Sequence, residues 1–257
     1  MQNHTDPFFC AVITARAGSV GLPGKNYKEI NGKPLFMWSV EAALRSRYVT
    51  RVIVSSNDPE IERITKDFIQ NHTVSRLTYS PRPEKYSGPL SKNEEALRYV
   101  IGKECKKRPD YMVLLQPTSP VRNNGLIDKC CETILKDPDY DCLFTASKHT
   151  PFFYKKHKCV KSAIDPSPFD LGLPIDHDPC RRPMRQELEE HDFFWHDNGN
   201  IYIFNPKLIS KGKGCRIGPR PYIYESNFYQ SWQIDNPHDF HVLESLSKEY
   251  GPFVDGI

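Results

Sequence analysis

The 257-residue sequence lacks the features that mark secreted and membrane proteins. Its first residues contain neither a basic stretch nor an apolar core, so we expect no signal peptide. No apolar run approaches the ~20 residues that cross a bilayer, so we expect no membrane partner. A net charge of +3 also lacks the basic excess that is typical of nucleic-acid binding, so we expect no nucleic-acid partner.

The eight cysteines include no pair with CxxC spacing, which argues against a structural zinc site. Several stand in apolar runs, as Cys10 does, which indicates buried and reduced thiols. We therefore predict a cytoplasmic protein. A short basic run at 106–109 leaves a nuclear location open, although its place after a helical pattern favours a solvated helix end.

Short apolar runs alternate with helical patterns along most of the chain. We predict strands at 9–14, 51–55, 74–79, 111–115, 141–146, 200–204 and 221–224. We predict helices at 35–47, 91–107, 125–135 and 237–250. A further helix is predicted to begin directly after Asp58. This alternation predicts an α/β fold with a mostly parallel sheet and helices on both faces. Ligands of such sheets bind beyond the carboxyl ends of the strands.

The segment 148–196 breaks this pattern, because it is rich in Pro, His, Asp and Arg and has little periodicity. We interpret it as an inserted arm, and 8–147 with 197–257 as the α/β core. His177, His191 and His196 suggest a metal site, but their spacing fits no familiar ligand set. We expect them to be exposed.

A glycine-rich loop, 14–26, follows the first predicted strand. Its glycines allow tight turns that direct backbone N–H groups toward an anion. Arg16 and Lys25 add one cation at each end, a combination that suits a triphosphate. The loop has neither the GxxxxGK[ST] pattern of a Walker A loop nor the GxGxxG pattern of a dinucleotide site.

This loop resembles the signature of the acylneuraminate cytidylyltransferases, or CMP-sialic acid synthetases, and of their relatives that act on other nonulosonic acids. Three further segments are similar to family motifs: LLQPTSPVR at 114–122, NGNIY at 198–202 and IDNPHDF at 234–240. The four occur in family order. The resemblance implies a Rossmann-like nucleotidyltransferase fold, in which CTP activates a sialic-acid-type sugar and pyrophosphate leaves.

The resemblance also implies roles for individual residues. Nucleotide binding would fall to Ala15, Arg16, Gly18, Ser19, Lys25, Asn26, Arg82 and Gln116. Catalysis would fall to Arg16, Lys25 and Asp235, with Asp235 as a ligand of Mg²⁺. Sugar binding would fall to Gln116, Thr118, Ser119, Lys155, Arg185 and Tyr202. The arm would contribute to the sugar site and to a homodimer interface.

Several of these residues have structural alternatives. Arg82 could stabilise a turn between two prolines, and Tyr202 could be a core residue of a strand. Arg185 could belong to a solvated face of the arm together with Arg181 and Arg182. Asp235 could cap the last helix.

Three positions depart from the family pattern. Gln233 stands where the family commonly has a second aspartate, and a neutral amide is a poor magnesium ligand beside a carboxylate. The segment 86–91 lacks the usual Asp-Thr. Phe153 aligns with an expected lysine, for which Lys155 could substitute. Two alternatives therefore stay open: another sugar or sugar-phosphate nucleotidyltransferase, and a non-catalytic protein that binds sugar nucleotides.

Overall fold

The computed structural model describes residues 6–18, 22–157, 171–210 and 214–256. The chain divides into two compact units, one formed by Met1–Ala146 with Asp197–Ile257 and the other by Ser147–His196. Within the described ranges, no helix is long and apolar enough to cross a membrane.

A seven-stranded sheet forms the centre of the first unit, in the order β11-β7-β10-β6-β1-β4-β5. All strands of the described chain are β1 Phe9–Thr14, β2 Glu29–Ile30, β3 Lys33–Pro34, β4 Val49–Ser56, β5 Leu77–Pro81, β6 Tyr111–Leu115, β7 Cys142–His149, β8 Tyr154–His157, β9 Leu171–Pro174, β10 Phe194–Phe204 and β11 Pro221–Glu225. β1 pairs in parallel with β4 and β6, β4 with β5, and β7 with β11. β10 runs antiparallel to β6, with Tyr202 opposite Leu114. The mostly parallel sheet predicted from the sequence is confirmed.

Helices cover both faces of this sheet. They are α1 Leu35–Arg45, α2 Pro59–His72, α3 Asn93–Glu104, α4 Leu126–Lys136 and α5 Pro237–Tyr250. Side chains alternate across a strand, so Phe9, Ala11 and Ile13 of β1 pack in one core with α1, α2, α4 and α5. Cys10 and Val12 point to the opposite face, where they pack with α3.

The starts of two helices follow from local chemistry. The Asp58 side chain accepts a hydrogen bond from the Glu60 N–H at 2.9 Å, and Pro59 occupies the first helical position of α2. α3 begins at Asn93, and Glu95 accepts from the Lys92 N–H at 3.2 Å. The helix therefore begins two residues after the predicted start at 91.

Other element ends differ from the sequence predictions. α3 ends at Glu104 rather than at 107, and β5 begins at Leu77 rather than at 74. The later start of β5 has a clear cause: Thr73 ends α2 in the left-handed conformation, with φ 50°, and the Val74 N–H still donates to the Ile69 carbonyl oxygen. Those residues complete the helix end and are not available to the sheet.

The second unit contains the antiparallel pair β8 and β9. Asp176 accepts hydrogen bonds from the backbone N–H groups of Phe152 and Phe153, and His177 Nδ1 lies 2.6 Å from its Oδ1. The His177 side chain is only 2% exposed. The expectation that it is exposed is therefore wrong, because the histidine is buried in contact with this carboxylate. In the parts of the chain that the structure describes, no group of metal-ligating side chains is found.

Candidate active site

The parallel strands bring several polar residues to one edge of the sheet. β1, β5 and β6 run in the same direction, so their carboxyl ends lie at the same edge. Arg16 follows β1, Arg82 follows β5, and Gln116 follows β6. They border a cleft of about 570 Å³. The cleft is lined by Thr14, Arg16, Lys25, Asn26, Arg82, Ser91, Lys92, Asn93, Glu94, Gln116, Pro117, Thr118 and Arg216.

The glycine-rich loop is held by its own backbone and by Asn26. Asn26 is buried, and its Nδ2 donates to the Arg16 carbonyl oxygen at 3.1 Å. Gly24 has φ +69°, and a Cβ there would lie 2.8 Å from the Tyr27 ring, so this position requires glycine. Arg16 Nη1 donates to the Gly88 carbonyl oxygen, which ties the loop to the segment before α3. The loop thus presents Arg16 and Asn26 to the cleft together.

Lys25 connects the loop to the start of the last helix. Its Nζ donates to the Ile234 carbonyl oxygen at 2.9 Å and lies 3.5 Å from Asp235 Oδ1. The Lys25 side chain is 12% exposed and that of Asp235 is 71% exposed. The side chain that caps α5 is Asn236, which accepts from two backbone N–H groups. The alternative that Asp235 caps this helix is therefore wrong, and its carboxylate faces Lys25 and solvent.

The Arg82 side chain stabilises a turn and also lines the cleft. Its Nε donates to the Tyr86 carbonyl oxygen at 2.7 Å, and its Nη2 donates to the same oxygen. Burial, with the positive charge of Arg16 as a second cause, lowers the pKa of Arg82 to about 10. Arg82 therefore keeps its charge at neutral pH. The turn contact that the sequence analysis gave as an alternative for Arg82 is present, and Arg82 also lines the cleft.

Gln116 lies beside a glycine that leaves room for it. Gly199 has φ +67°, and a Cβ there would be 3.2 Å from Gln116 Oε1 and 3.6 Å from Gln233 Nε2. Arg122 Nη2 donates to the carbonyl oxygens of Gln116 and Asn200, both at 2.9 Å. Burial lowers the pKa of Arg122 to about 9. Arg122, the last residue of the second motif, thus fixes the backbone on both sides of the Gln116 side chain.

Thr118 and Ser119 have different surroundings. Thr118 lines the cleft, and its carbonyl oxygen accepts from the Ile234 N–H at 2.8 Å. Ser119 is fully buried, and its hydroxyl donates to the Asn198 carbonyl oxygen at 3.0 Å. Ser119 therefore holds the start of the third motif, while Thr118 contributes to the cleft wall.

A charged pair stands between Tyr202 and the cleft. Tyr202 is 3% exposed and its hydroxyl donates to Asp197 Oδ1 at 2.8 Å. Burial is the main reason that the pKa of Tyr202 is raised to about 12. The Arg216 guanidinium lies 4.3 Å from the ring centre, and Arg216 Nη1 donates to Glu94 Oε1 at 2.6 Å. Arg216 and Glu94 line the cleft, so the surface in front of the buried Tyr202 is ionic.

Ala15 was predicted to bind the nucleotide but does not line the cleft. Ala15 is buried, and its N–H donates to the Ser55 carbonyl oxygen at 3.0 Å. Ser19 lies outside the described residues. Lys155 and Arg185 belong to the second unit, where both are exposed. Their predicted contacts with the sugar stay predictions.

The sequence did not single out several residues that line the cleft as site residues. These are Thr14, Ser91, Lys92, Asn93, Glu94, Pro117 and Arg216. Two signals could have found most of them. Thr14 ends a strand at the carboxyl edge of the sheet, and the predicted helix start near Ser91 follows another such strand. Arg216 has no local motif around it.

Asp235 offers a partial fit to Mg²⁺. Magnesium commonly uses one or two carboxylates together with substrate phosphates and water. Asp235 supplies one exposed carboxylate close to the glycine-rich loop, and Gln233 supplies a neutral amide instead of a second one. Within the described ranges, no group of three acidic, histidine or cysteine side chains is arranged so that it could hold a metal ion.

Part of the chain matches a known protein family. Residues 10–167, which include the glycine-rich loop, Arg82 and Gln116, match the family described as cytidylyltransferase. The chain belongs to the cytidylyltransferase family. The resemblance inferred from the four motifs is confirmed at this level.

Characterised cytidylyltransferases of several organisms are similar to this chain. The N-acylneuraminate cytidylyltransferase of Oncorhynchus mykiss is 28% identical over 95% of this chain and 51% of its own length. The CMP-N,N'-diacetyllegionaminic acid synthase of Legionella pneumophila is 28% identical over 92% of this chain and 94% of its own length. The chain thus spans about half the length of the first of these relatives and nearly all of the second.

A solved cytidylyltransferase structure shares the fold. The CMP:2-keto-3-deoxy-manno-octonic acid synthetase complexed with CTP superposes with a TM-score of 0.63 and 17% identity, over 95% of this chain and 99% of the other. At this identity the similarity supports the Rossmann-like architecture alone.

Proposed function

We propose that this protein is a CTP-dependent cytidylyltransferase that activates a sialic-acid-type sugar, a nonulosonic acid, to its CMP derivative. The observation that carries the proposal is the convergence of Arg16, Lys25 and Asn26 with Arg82 and Gln116 on one cleft. The relatives whose printed names include N-acylneuraminate and diacetyllegionaminic acid support the choice of acceptor.

In the proposed reaction, the anomeric hydroxyl oxygen of the acid attacks the α-phosphorus of CTP. The bond from the α-phosphorus to the bridging oxygen breaks, pyrophosphate leaves with that oxygen, and the hydroxyl proton passes to solvent. Such transfers depend on positioning and charge neutralisation rather than on a covalent intermediate. Arg16 and Lys25 are placed to neutralise the charge that develops on the phosphates.

Asp235 would hold Mg²⁺ at this site. The bound ion would neutralise phosphate charge. Lys25, which lies 3.5 Å from Asp235, would orient that carboxylate and contact the leaving pyrophosphate.

The cleft has an uneven distribution of charge that suits these substrates. Arg16, Lys25, Arg82, Lys92 and Arg216 line it, and Glu94 is the acidic residue among the described lining residues. Cations near the glycine-rich loop favour the triphosphate, because an arginine can donate two hydrogen bonds to one phosphate group. Gln116, which lies beside Gly199, would lie between nucleotide and sugar.

We further propose a cytoplasmic homodimer, in which the arm contributes Lys155 and Arg185 to sugar binding. The support for this assembly is the family resemblance and the exposed apolar side chains of the second unit, such as Phe153, Leu173 and Ile175. Sedimentation of the purified protein at micromolar concentration should give twice the chain mass of 29.7 kDa. A monomer at that concentration would contradict the dimer.

The test of the function is pyrophosphate release from CTP and Mg²⁺ with a panel of acceptors. The panel holds several nonulosonic acids, a 3-deoxy-octulosonate and a sugar 1-phosphate. Release with a nonulosonic acid is expected. Release only with the sugar phosphate would favour a sugar-phosphate nucleotidyltransferase. No release with any acceptor, from protein that still binds CTP, would favour a non-catalytic protein that binds sugar nucleotides.

A further inference from the structure

The ionic surface in front of Tyr202 is formed by a glutamate and an arginine that are both held in place. The Glu94 side chain is 9% exposed and that of Arg216 is 19% exposed. Their contact at 2.6 Å joins the first turn of α3 to the segment before β11. The flat face of the guanidinium also packs on the Tyr202 ring at 4.3 Å. This double restraint fixes the orientation of the pair, so it can act as a rigid recognition element.

Arg216 has one hydrogen-bond donor that no protein group satisfies. Its Nε is buried and has no hydrogen-bond partner. The other groups of the guanidinium are engaged by Glu94, through Nη1 and Oε1, and by Tyr202. Since buried donors are nearly always paired in native proteins, an unpaired one beside a cleft indicates a group that a ligand satisfies.

The charge of Glu94 indicates which part of the substrates lies beside it. A polyphosphate is repelled by a carboxylate and attracted by the cations of the glycine-rich loop. Arg16 and Lys25 line the cleft near that loop, while Glu94 and Arg216 line it near Tyr202. The part of the ligand beside Glu94 therefore carries no phosphate. On the proposed reaction, this part is the cytidine of CTP or the acceptor sugar. The family resemblance assigns Arg82 to the nucleotide and Tyr202 to the sugar, so we take it as the acceptor sugar.

We infer that Glu94 and Arg216 determine the acceptor specificity of the cleft and select an acid with a hydroxyl over one with an N-acyl group at the same ring position. This inference rests on the proposed function. A hydroxyl both donates and accepts, so one such group satisfies the carboxylate and the guanidinium together. The amide of an N-acyl group would also find both partners. Its methyl group, however, would lie against an ion pair and remove water from it without a compensating contact.

The experiment measures kcat and KM with CTP, Mg²⁺ and two acceptors, an N-acetylated nonulosonic acid and its deaminated analogue that carries a hydroxyl instead. For the wild-type protein we expect a kcat/KM at least about tenfold higher with the hydroxyl analogue. Arg216→Leu exposes an apolar surface over Tyr202 and should reduce this preference at least about tenfold, through the KM of the acceptor. The KM of CTP should stay within about twofold.

Two further variants make the test specific. Glu94→Gln keeps the shape of the side chain but removes its charge, and it should weaken the same preference. Arg220→Leu is the matched control: Arg220 follows on the same segment, its side chain is 60% exposed, and it pairs with Asp139 away from the cleft. Its kinetics should equal those of the wild-type protein. Calorimetric titration with CTP shows whether each variant is folded, and Glu94→Gln carries the test if Arg216→Leu fails to fold.

Several results would overturn the inference while leaving the proposed function intact. These are a wild-type preference for the N-acetylated acid, an unchanged preference in both variants, and a rise in the KM of CTP without a change in acceptor choice. If none of the acceptors gives pyrophosphate release, the proposed function itself is contradicted.

Discussion

Lys25 and Asp235 are separated by 210 positions in the sequence, yet their side chains meet at 3.5 Å. The contact joins the glycine-rich loop to the segment that precedes the last helix. Because Lys25 is largely buried and Asp235 is largely exposed, the lysine is fixed in position and the carboxylate is accessible to a bound cation.

Lys25→Ala should lower kcat by about 10²–10³-fold, because it removes a cation placed where negative charge develops on the leaving group. The measurement is pyrophosphate release at saturating CTP. Lys28→Ala is the control, since Lys28 is exposed and its Nζ lies 5.0 Å from the Phe240 ring centre. Wild-type turnover in Lys25→Ala, or equal losses in both variants, would remove the assigned role.

Gln233→Asp should lower the Mg²⁺ concentration that gives half-maximal rate. It adds a second carboxylate two positions from Asp235, and magnesium prefers carboxylate oxygen to a neutral amide. Asp235→Asn should raise that concentration and recover part of its rate at high Mg²⁺. A titration of the rate with Mg²⁺ distinguishes the variants. An unchanged midpoint in both would mean that neither residue contacts the ion.

Gly199→Ala should lose about 1–2 kcal/mol of stability from the left-handed backbone, and should also lower kcat/KM. The second effect arises because the new Cβ would be 3.2 Å from Gln116 Oε1. Gly32→Ala is the matched control, since Gly32 has φ +72° and nothing within 4 Å of an added Cβ. Urea unfolding should show a loss in both, and kinetics a loss only in Gly199→Ala. Equal kinetics in the two variants would show that Gln116 tolerates the displacement.

Arg122→Lys should destabilise the fold by about 1–3 kcal/mol, because an ammonium cannot reproduce the geometry of a guanidinium. Arg122 donates to Ser39 Oγ and to the carbonyl oxygens of Gln116 and Asn200, each at 2.9 Å. At least one of these buried acceptors would lose its partner. Chemical denaturation measures the effect, and full retention of stability would contradict it.

The sequence predicts the parts of the site that depend on local pattern. Glycine spacing, the cations at 16 and 25, and the strand ends before Arg16 and Gln116 are all readable within short segments. Parallel pairing then brings these segments together, because strands of one direction share an edge. That is why Arg16, Lys25, Asn26 and Gln116, which line one cleft in the structure, could be named from the sequence.

Glu94 and Arg216 are cleft residues that could not be assigned to the site from the sequence. They are 122 positions apart, and neither belongs to a motif with a spacing of its own. Glu94 follows a helix start, where an acidic residue is commonplace for electrostatic reasons. Glu94 lies in the first turn of α3, which starts at Asn93 rather than at 91, and element boundaries are the least readable property of a sequence.

The joining of Lys25 to Ile234 and Asp235 also has a consequence for biosynthesis. At about 5–20 residues per second, the 210 positions that separate Lys25 from Asp235 take about 10–40 s to translate. During that interval the loop has left the ribosome without the carbonyl oxygen and carboxylate that hold its lysine. The nascent chain therefore gains this contact only after residue 235 has been made, long after the first strand and its loop.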